Sequence, residues 1–88
     1  MKLSKDFVLR QVAATWVVLP LKSDTLDFNG MIRLNDSGAM LWKCLEQGAD
    51  RDGLVQALTA QYDVNPVQAG TDVDEFLEML MKIGCIEN

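Results

Sequence analysis

Apolar and polar residues alternate in the first part of the chain in short runs that are typical of β-strands. Residues 7–12 and 15–19 are rich in β-branched and aromatic side chains, and the two residues between them are enough for a hairpin turn. After a polar stretch that ends in an Asn-Gly pair, residues 31–34 resume the alternation, with Ile32 and Leu34 on one face. The pattern therefore predicts three strands in an antiparallel meander.

From residue 35 onward, apolar residues recur at helical spacing. The first predicted helix begins after Asn35, a good N-cap, and stops at Gly48. Trp42 is its predicted core anchor, on an apolar face shared with Leu41 and Leu45. The second begins after Asp50 and ends before residue 63. Its predicted buried face consists of Leu54, Val55, Leu58 and Tyr62.

The third predicted helix has the clearest start. Asn65 is its N-cap, Pro66 takes the first helical position, and Gln68 is placed as in a capping box. Gly84 ends the helix, and Gly70 weakens its interior by about 1 kcal/mol relative to alanine. Its core stripe is formed by Ala69, Val73, Phe76, Leu77 and Leu80.

Length and composition favour a single core. A chain of 88 residues, 49% of them hydrophobic, is predicted to form one domain over residues 1–88. The fold class is α+β, with a three-stranded antiparallel N-terminal sheet followed by three helices. No apolar run approaches the roughly 18 residues that cross a bilayer, and the charged start lacks the apolar stretch of a secretory signal. We therefore expect a cytoplasmic domain without a membrane partner.

Charge is distributed unevenly along the chain, whose net charge is −5. Residues 1–44 carry six Lys and Arg against four Asp and Glu, whereas residues 45–88 carry two against nine. A phosphate-binding surface needs clustered basic side chains, so the helical half would repel nucleic acid. The sequence predicts no nucleic-acid partner and favours a partner with a basic stretch.

Residues suited to catalysis or metal binding are scarce. The chain has no histidine, and Cys44 and Cys85 are far apart and form no CxxC motif. Without histidine, the commonest acid-base group near neutral pH is missing. We expect two reduced and mostly buried thiols, no metal, no cofactor, no catalytic residue and no enzymatic activity.

The outer strands of a three-stranded meander expose unpaired backbone groups. The third predicted strand is short and free of proline, so an extended peptide could add to it as a further strand. A groove between this strand and the third helix would offer apolar contacts from Met79 and Ile83 and negative charge from Asp72 and Glu75. Alternatively, the two apolar residues belong to the core or its rim, and the acidic residues only solvate the helix.

A family resemblance is carried by several short stretches. They are Val17-Val18-Leu19-Pro20-Leu21, the segment from Asn29 to Trp42, Tyr62-Asp63-Val64, Val73-Asp74-Glu75-Phe76-Leu77, and the Ile-Gly-Cys-Ile near the end of the chain. In these stretches the chain resembles the PqqD family, the peptide-recognition chaperones of pyrroloquinoline quinone biosynthesis and related peptide-modifying pathways. The central segment, residues 29–42, is the most specific.

The resemblance implies a winged-helix-like recognition element that binds the leader of a ribosomally made precursor peptide. In that family the leader adds a strand to the third strand, lies against the third helix, and is presented to a radical S-adenosylmethionine enzyme or another modifying enzyme. The implied peptide-binding residues are Gly30, Met31, Ile32, Arg33 and Leu34 on the strand side, and Asp72, Glu75, Phe76, Met79, Leu80 and Ile83 on the helix. The precursor, the modification and whether the pathway makes the quinone stay open.

Two other functions fit the pattern less well. The free edge could pair with its own copy and make the chain a structural or oligomerising subunit, normally as a homodimer. A winged-helix DNA-binding regulator is the third class, and the acidic helical half argues against it.

Overall fold

The computed structural model of the chain describes residues 2–21 and 32–87. Gly30 and Met31, both predicted to bind peptide, lie outside the described residues. In chain order the elements are β1 (Lys2–Leu3), β2 (Phe7–Val12), β3 (Thr15–Pro20), β4 (Ile32–Leu34), α1 (Asp36–Glu46), α2 (Arg51–Gln61), α3 (Pro66–Ile83) and β5 (Ile86–Glu87). The predicted three-stranded antiparallel sheet followed by three helices is confirmed.

The main sheet has the strand order β2-β3-β4, and both pairings are antiparallel. A two-residue turn joins β2 to β3, and Ala13 in that turn has a φ of 55°, in the left-handed region that L-residues seldom adopt. In the second pairing Trp16 faces Leu34 and Val18 faces Ile32. This register fixes the position of β4 at one edge of the sheet.

A second, smaller sheet was not predicted. β1 and β5 pair antiparallel, with Leu3 opposite Ile86, and the Ser4 backbone N–H donates to the Cys85 carbonyl over 2.7 Å. Each strand has only two residues, too few to show an alternating pattern in the sequence. The small sheet joins the N-terminal segment to the residues that follow α3.

All three predicted N-caps are confirmed. In each, the side-chain oxygen accepts a 2.8 Å hydrogen bond from the backbone N–H three residues later, the pairs being Asn35 with Gly38, Asp50 with Gly53, and Asn65 with Gln68. The Gln68 side-chain nitrogen donates to Asp72, and no reciprocal capping-box bond from the Asn65 N–H to Gln68 is found among the described residues. Gly84, with a φ of 91°, ends α3 as predicted.

The core lies between the main sheet and the three helices. Its largest fully buried side chains are Val18, Trp42, Leu54, Val73, Leu80 and Cys85. Trp42 is 1% exposed, which confirms it as a core anchor. On the surface, the Lys43 ammonium lies 4.2 Å from the centre of the Trp16 ring, a cation-π contact between α1 and β3. No helix in the described part of the chain is long and apolar enough to span a membrane.

The prediction that Tyr62 is buried was wrong. α2 ends at Gln61, and Tyr62 is its C-cap with extended backbone angles, which takes the side chain off the apolar face and leaves it 41% exposed. Val55 is only partly buried, whereas Leu54 and Leu58 are buried as predicted. Both thiols are free, and burial raises the pKa of the Cys85 thiol to about 11.

Candidate functional site

The outer edge of β4 is open. Within residues 2–21 and 32–87, β4 pairs with β3 on one side, and no strand pairs with its other side. Leu34 points into the core, Ile32 is half-buried, and Arg33 is exposed, as the alternation of a strand requires. Among the described residues, the backbone donors and acceptors of this edge therefore have no strand partner.

A cleft of about 450 Å³ lies between the β4–α1 junction and α3. Its apolar floor comes from four elements and consists of Leu34, Leu41, Leu58 and Phe76. Its rim is formed by Arg33, Asp72, Glu75 and Met79. An apolar floor with a few charged groups around it is the usual composition of a ligand site.

Gly38 allows β4 and α1 to meet closely at this cleft. A Cβ at this position would lie 3.2 Å from Asn35 Oδ1 and 3.4 Å from the Leu34 Cβ. Asn35 Oδ1 already accepts hydrogen bonds from the Gly38 backbone N–H and from the Ser37 hydroxyl. Asn35 therefore lines the cleft while its oxygen serves as the helix cap.

The cleft continues in both directions along α3. Towards the C-terminal end of α3, a depression of about 430 Å³ is lined by Glu75, Glu78, Met79, Lys82 and Ile83. Towards the N-terminal end, a depression of about 420 Å³ is lined by Asn35, Asp36, Ser37, Leu58, Tyr62, Val64 and Asp72. Each depression shares wall residues with the central cleft, so the three adjoin one another along α3, and together we call them the trough.

The trough carries excess negative charge. Four carboxylates line it, from Asp36, Asp72, Glu75 and Glu78, against two cations, from Arg33 and Lys82. In the part of the chain that the structure describes, none of these six side chains belongs to an ion pair. The one side-chain partner recorded for them is the neutral amide of Gln68, which donates to Asp72 over 2.9 Å. No oppositely charged side chain within the described residues therefore neutralises these groups.

An ion pair outside the trough connects α2 to α3. Arg51 donates to Asp74 through Nε at 2.6 Å and through Nη2 at 3.0 Å. The hydrogen bond from Arg51 holds the pKa of Asp74 below its usual value, and the same bond raises the pKa of Arg51. A Cβ on Gly70 would lie 3.1 Å from this guanidinium, which gives the helix-interior glycine a packing role.

The structure brings together most of the residues that were predicted to form the site. Arg33, Leu34, Asp72, Glu75, Phe76 and Met79 line the central cleft, and Ile83 lines the adjoining depression. Ile32 packs against the core. Leu80 has no exposed surface, so it supports the trough from below and does not line it.

Sequence reasoning missed Leu41 and Leu58 as lining residues. Both were assigned to the apolar faces of their helices, and they are 3% and 5% exposed, so they belong to the core and also form the floor of the cleft. The helical spacing shows that a residue faces inward, but not that a cleft reaches it.

The fold and the trough define a small α+β binding domain with an open strand edge beside a helix. The chain belongs to the family of coenzyme PQQ synthesis protein D (PqqD), whose sequence profile matches residues 15–86. The resemblance drawn from the sequence is thus confirmed. A comparison with curated proteins gave no match.

Two solved structures are similar to this chain. One is TbiB1 in complex with the TbiA(β) leader peptide, with 26% identity, a TM-score of 0.82, and coverage of 100% of this chain and 96% of that chain. The other is lasso peptide synthetase B1 complexed with the leader peptide, with 24% identity, a TM-score of 0.77, and coverage of 94% and 92%. The second similarity shows the fold alone.

Proposed function

We propose that this domain captures an extended segment of the leader of a ribosomally made precursor peptide. The segment adds as a strand to the open edge of β4, and its side chains enter the trough along α3. The observation that carries the proposal is that the outer edge of β4, which no other described strand pairs with, lies directly beside a cleft with an apolar floor. Backbone hydrogen bonds would supply affinity, and pockets for alternate side chains would supply specificity.

The TbiB1 structure supports this occupant. It was solved with a leader peptide bound, and it matches the present chain over its whole length. The dimensions also fit. From Asp72 to Ile83 the trough wall runs about 16 Å along α3, which is the length of about five residues of an extended chain.

The domain is proposed to act by positioning and to have no chemistry of its own. A leader held at a fixed place raises the effective concentration of the precursor at a modifying enzyme, here of the radical S-adenosylmethionine type. The absence of histidine from the chain supports this division of labour, because it removes the commonest acid-base group. The proposed setting is the cytoplasm, where precursor peptides are synthesised.

Strand addition can be tested by nuclear magnetic resonance. The isotope-labelled domain is titrated with a synthetic leader of the precursor that is encoded beside its gene. We expect the amide shifts to concentrate in β4 and on the trough side of α3, with β1 and β5 unchanged. Saturating peptide that shifts neither β4 nor α3 would refute the proposal for that leader.

Backbone methylation of the same peptide tests the hydrogen bonds. Successive N–H groups of a strand point to opposite sides, so only every second amide can donate to β4. Methylating that set should weaken binding roughly tenfold or more, and methylating the other set should change it little. Equal losses for both sets would argue against strand addition. Light scattering of the free domain would reveal a dimer, which is the outcome expected if this edge pairs with a second copy.

A further inference from the structure

The three parts of the trough differ in chemistry. The depression at the C-terminal end of α3 has two apolar side chains, Met79 and Ile83, and its charged side chains, from Glu75, Glu78 and Lys82, include a cation. The central cleft has Phe76 and Met79 above an apolar floor. At the N-terminal end of α3, the depression is lined by Asp72 and by Asp36 of α1, and Glu75 lies about one helical turn further along, in the central cleft. All three parts therefore have apolar lining residues, and the part at the N-terminal end of α3 is the one lined by carboxylates without a cation.

The spacing of these parts matches the repeat of a strand. Consecutive parts are centred about four residues apart on α3, which is about 6 Å along the helix axis. On one face of an extended peptide, side chains recur every second residue, about 6.6 Å apart. Three alternate side chains of one peptide strand can therefore each face a different part of the trough.

The acidic end stays negative after the opposing contributions are counted. Asp36 and Asp72 contribute two negative charges, and in the adjoining central cleft Glu75 and Arg33 contribute one negative and one positive charge. The N-terminus of α1 also faces this end, but its dipole is equivalent to only about half a positive charge. The sum is negative, so this part of the trough favours a cation.

We propose that the trough selects a leader segment with apolar, apolar and basic side chains at alternate positions. The basic residue, Lys or Arg, lies against Asp72 and Glu75, and the two apolar residues fill the central cleft and the Met79–Ile83 depression. This specificity rests on the proposed function, because it assumes an extended peptide paired with β4. It identifies the class of leader that the domain recognises.

The test begins with a random dodecapeptide library displayed on phage and selected against the immobilised domain. We expect enriched peptides to share two apolar residues and one basic residue at alternate positions. Lys and Arg should be enriched about fivefold or more at the basic position, because one ion pair contributes up to about 1 kcal/mol of binding free energy. An enriched peptide is then synthesised, and its contact with β4 and α3 is checked by amide shifts.

Two charge-matched variants test the acidic end. D72N/E75Q removes two carboxylates from the trough, whereas E46Q/D52N removes two from exposed positions outside it. We expect D72N/E75Q to raise the Kd of the selected peptide about 3- to 10-fold, and E46Q/D52N to leave it nearly unchanged. The difference should shrink between about 0.02 M and about 0.5 M salt, because exposed charges are screened.

The outcomes separate the two proposals. Enriched peptides that shift β4 and α3 but lack the basic residue, or that bind D72N/E75Q as tightly as the wild type, overturn the specificity and leave the proposed function standing. A library that yields no enriched peptide, or only peptides that leave β4 and α3 unshifted, overturns both.

Discussion

Truncating Met79 should weaken peptide binding, and truncating Met81 should not. Met79 is partly buried and belongs both to the central cleft and to the adjoining depression, so a bound peptide would cover its remaining surface. Met81 lies two residues away on the same helix and is 50% exposed, outside the trough. The pair therefore compares the same side chain on two faces of α3.

The magnitude follows from burial. Complete burial of a methionine side chain contributes roughly 1.5–3 kcal/mol. Part of Met79 is already covered in the free domain, so the peptide buries only the remaining surface. This burial contributes about 1 kcal/mol to the free energy of binding. Met79→Ala should thus raise the Kd about fivefold. Met81→Ala should change it by less than about twofold.

The assay is fluorescence anisotropy with a labelled leader peptide, at a temperature where both variants are folded. Met79→Ala also loses core contacts and should lower the free energy of unfolding by about 1–2 kcal/mol, so circular dichroism must confirm folding first. Equal Kd values for Met79→Ala and the wild type, or a larger effect from Met81→Ala, would refute the placement of the peptide along this face of α3.

Three further predictions concern stability. Ala13→Gly should raise the free energy of unfolding in urea by about 0.5–1 kcal/mol, because glycine adopts a φ of 55° without strain, whereas Ala14→Gly should lower it. Asn65→Ala should cost about 1 kcal/mol by removing the acceptor of the Gln68 N–H, with the peptide Kd unchanged. Burial raises the pKa of the Cys85 thiol from 9.0 to about 11 in the folded domain. Between pH 9 and 11 the thiol therefore ionises in the unfolded chain but stays neutral in the folded domain, so the free energy of unfolding should fall as the pH rises. Cys85→Ala should remove that decline, and a decline of the same size in the variant would exclude the thiol as its cause.

Local chemistry made much of the fold predictable. Asn35, Asp50 and Asn65 were identified as caps because a side-chain oxygen before an apolar periodic run can satisfy an N–H three residues later, and the structure shows these bonds. β2 and β3 were predictable because each has six residues, which is long enough to show the enrichment in β-branched and aromatic residues that is typical of strands.

Features that depend on distant contacts were not predictable. The pairing of β1 with β5 joins the two ends of the described chain, and no local pattern encodes such a contact. Tyr62 continues the apolar spacing of α2, but the helix ends one residue before it. Leu58 reaches the floor of the cleft only because α2 packs between α1 and α3.

Stability and recognition depend on largely different residues of α3. Val73, Phe76, Leu77 and Leu80 hold the helix in place, since all four are buried, and Leu80 has no surface for a peptide to touch. Asp72 and Glu75 are exposed and form no ion pair within the described residues, so neutralising them should change the free energy of unfolding little. The Arg51–Asp74 pair is about half-exposed, so it contributes little to stability. The buried side chains already hold α3 in place. The rim of the trough can therefore change its charge, and with it the preferred peptide, without moving the wall that carries it.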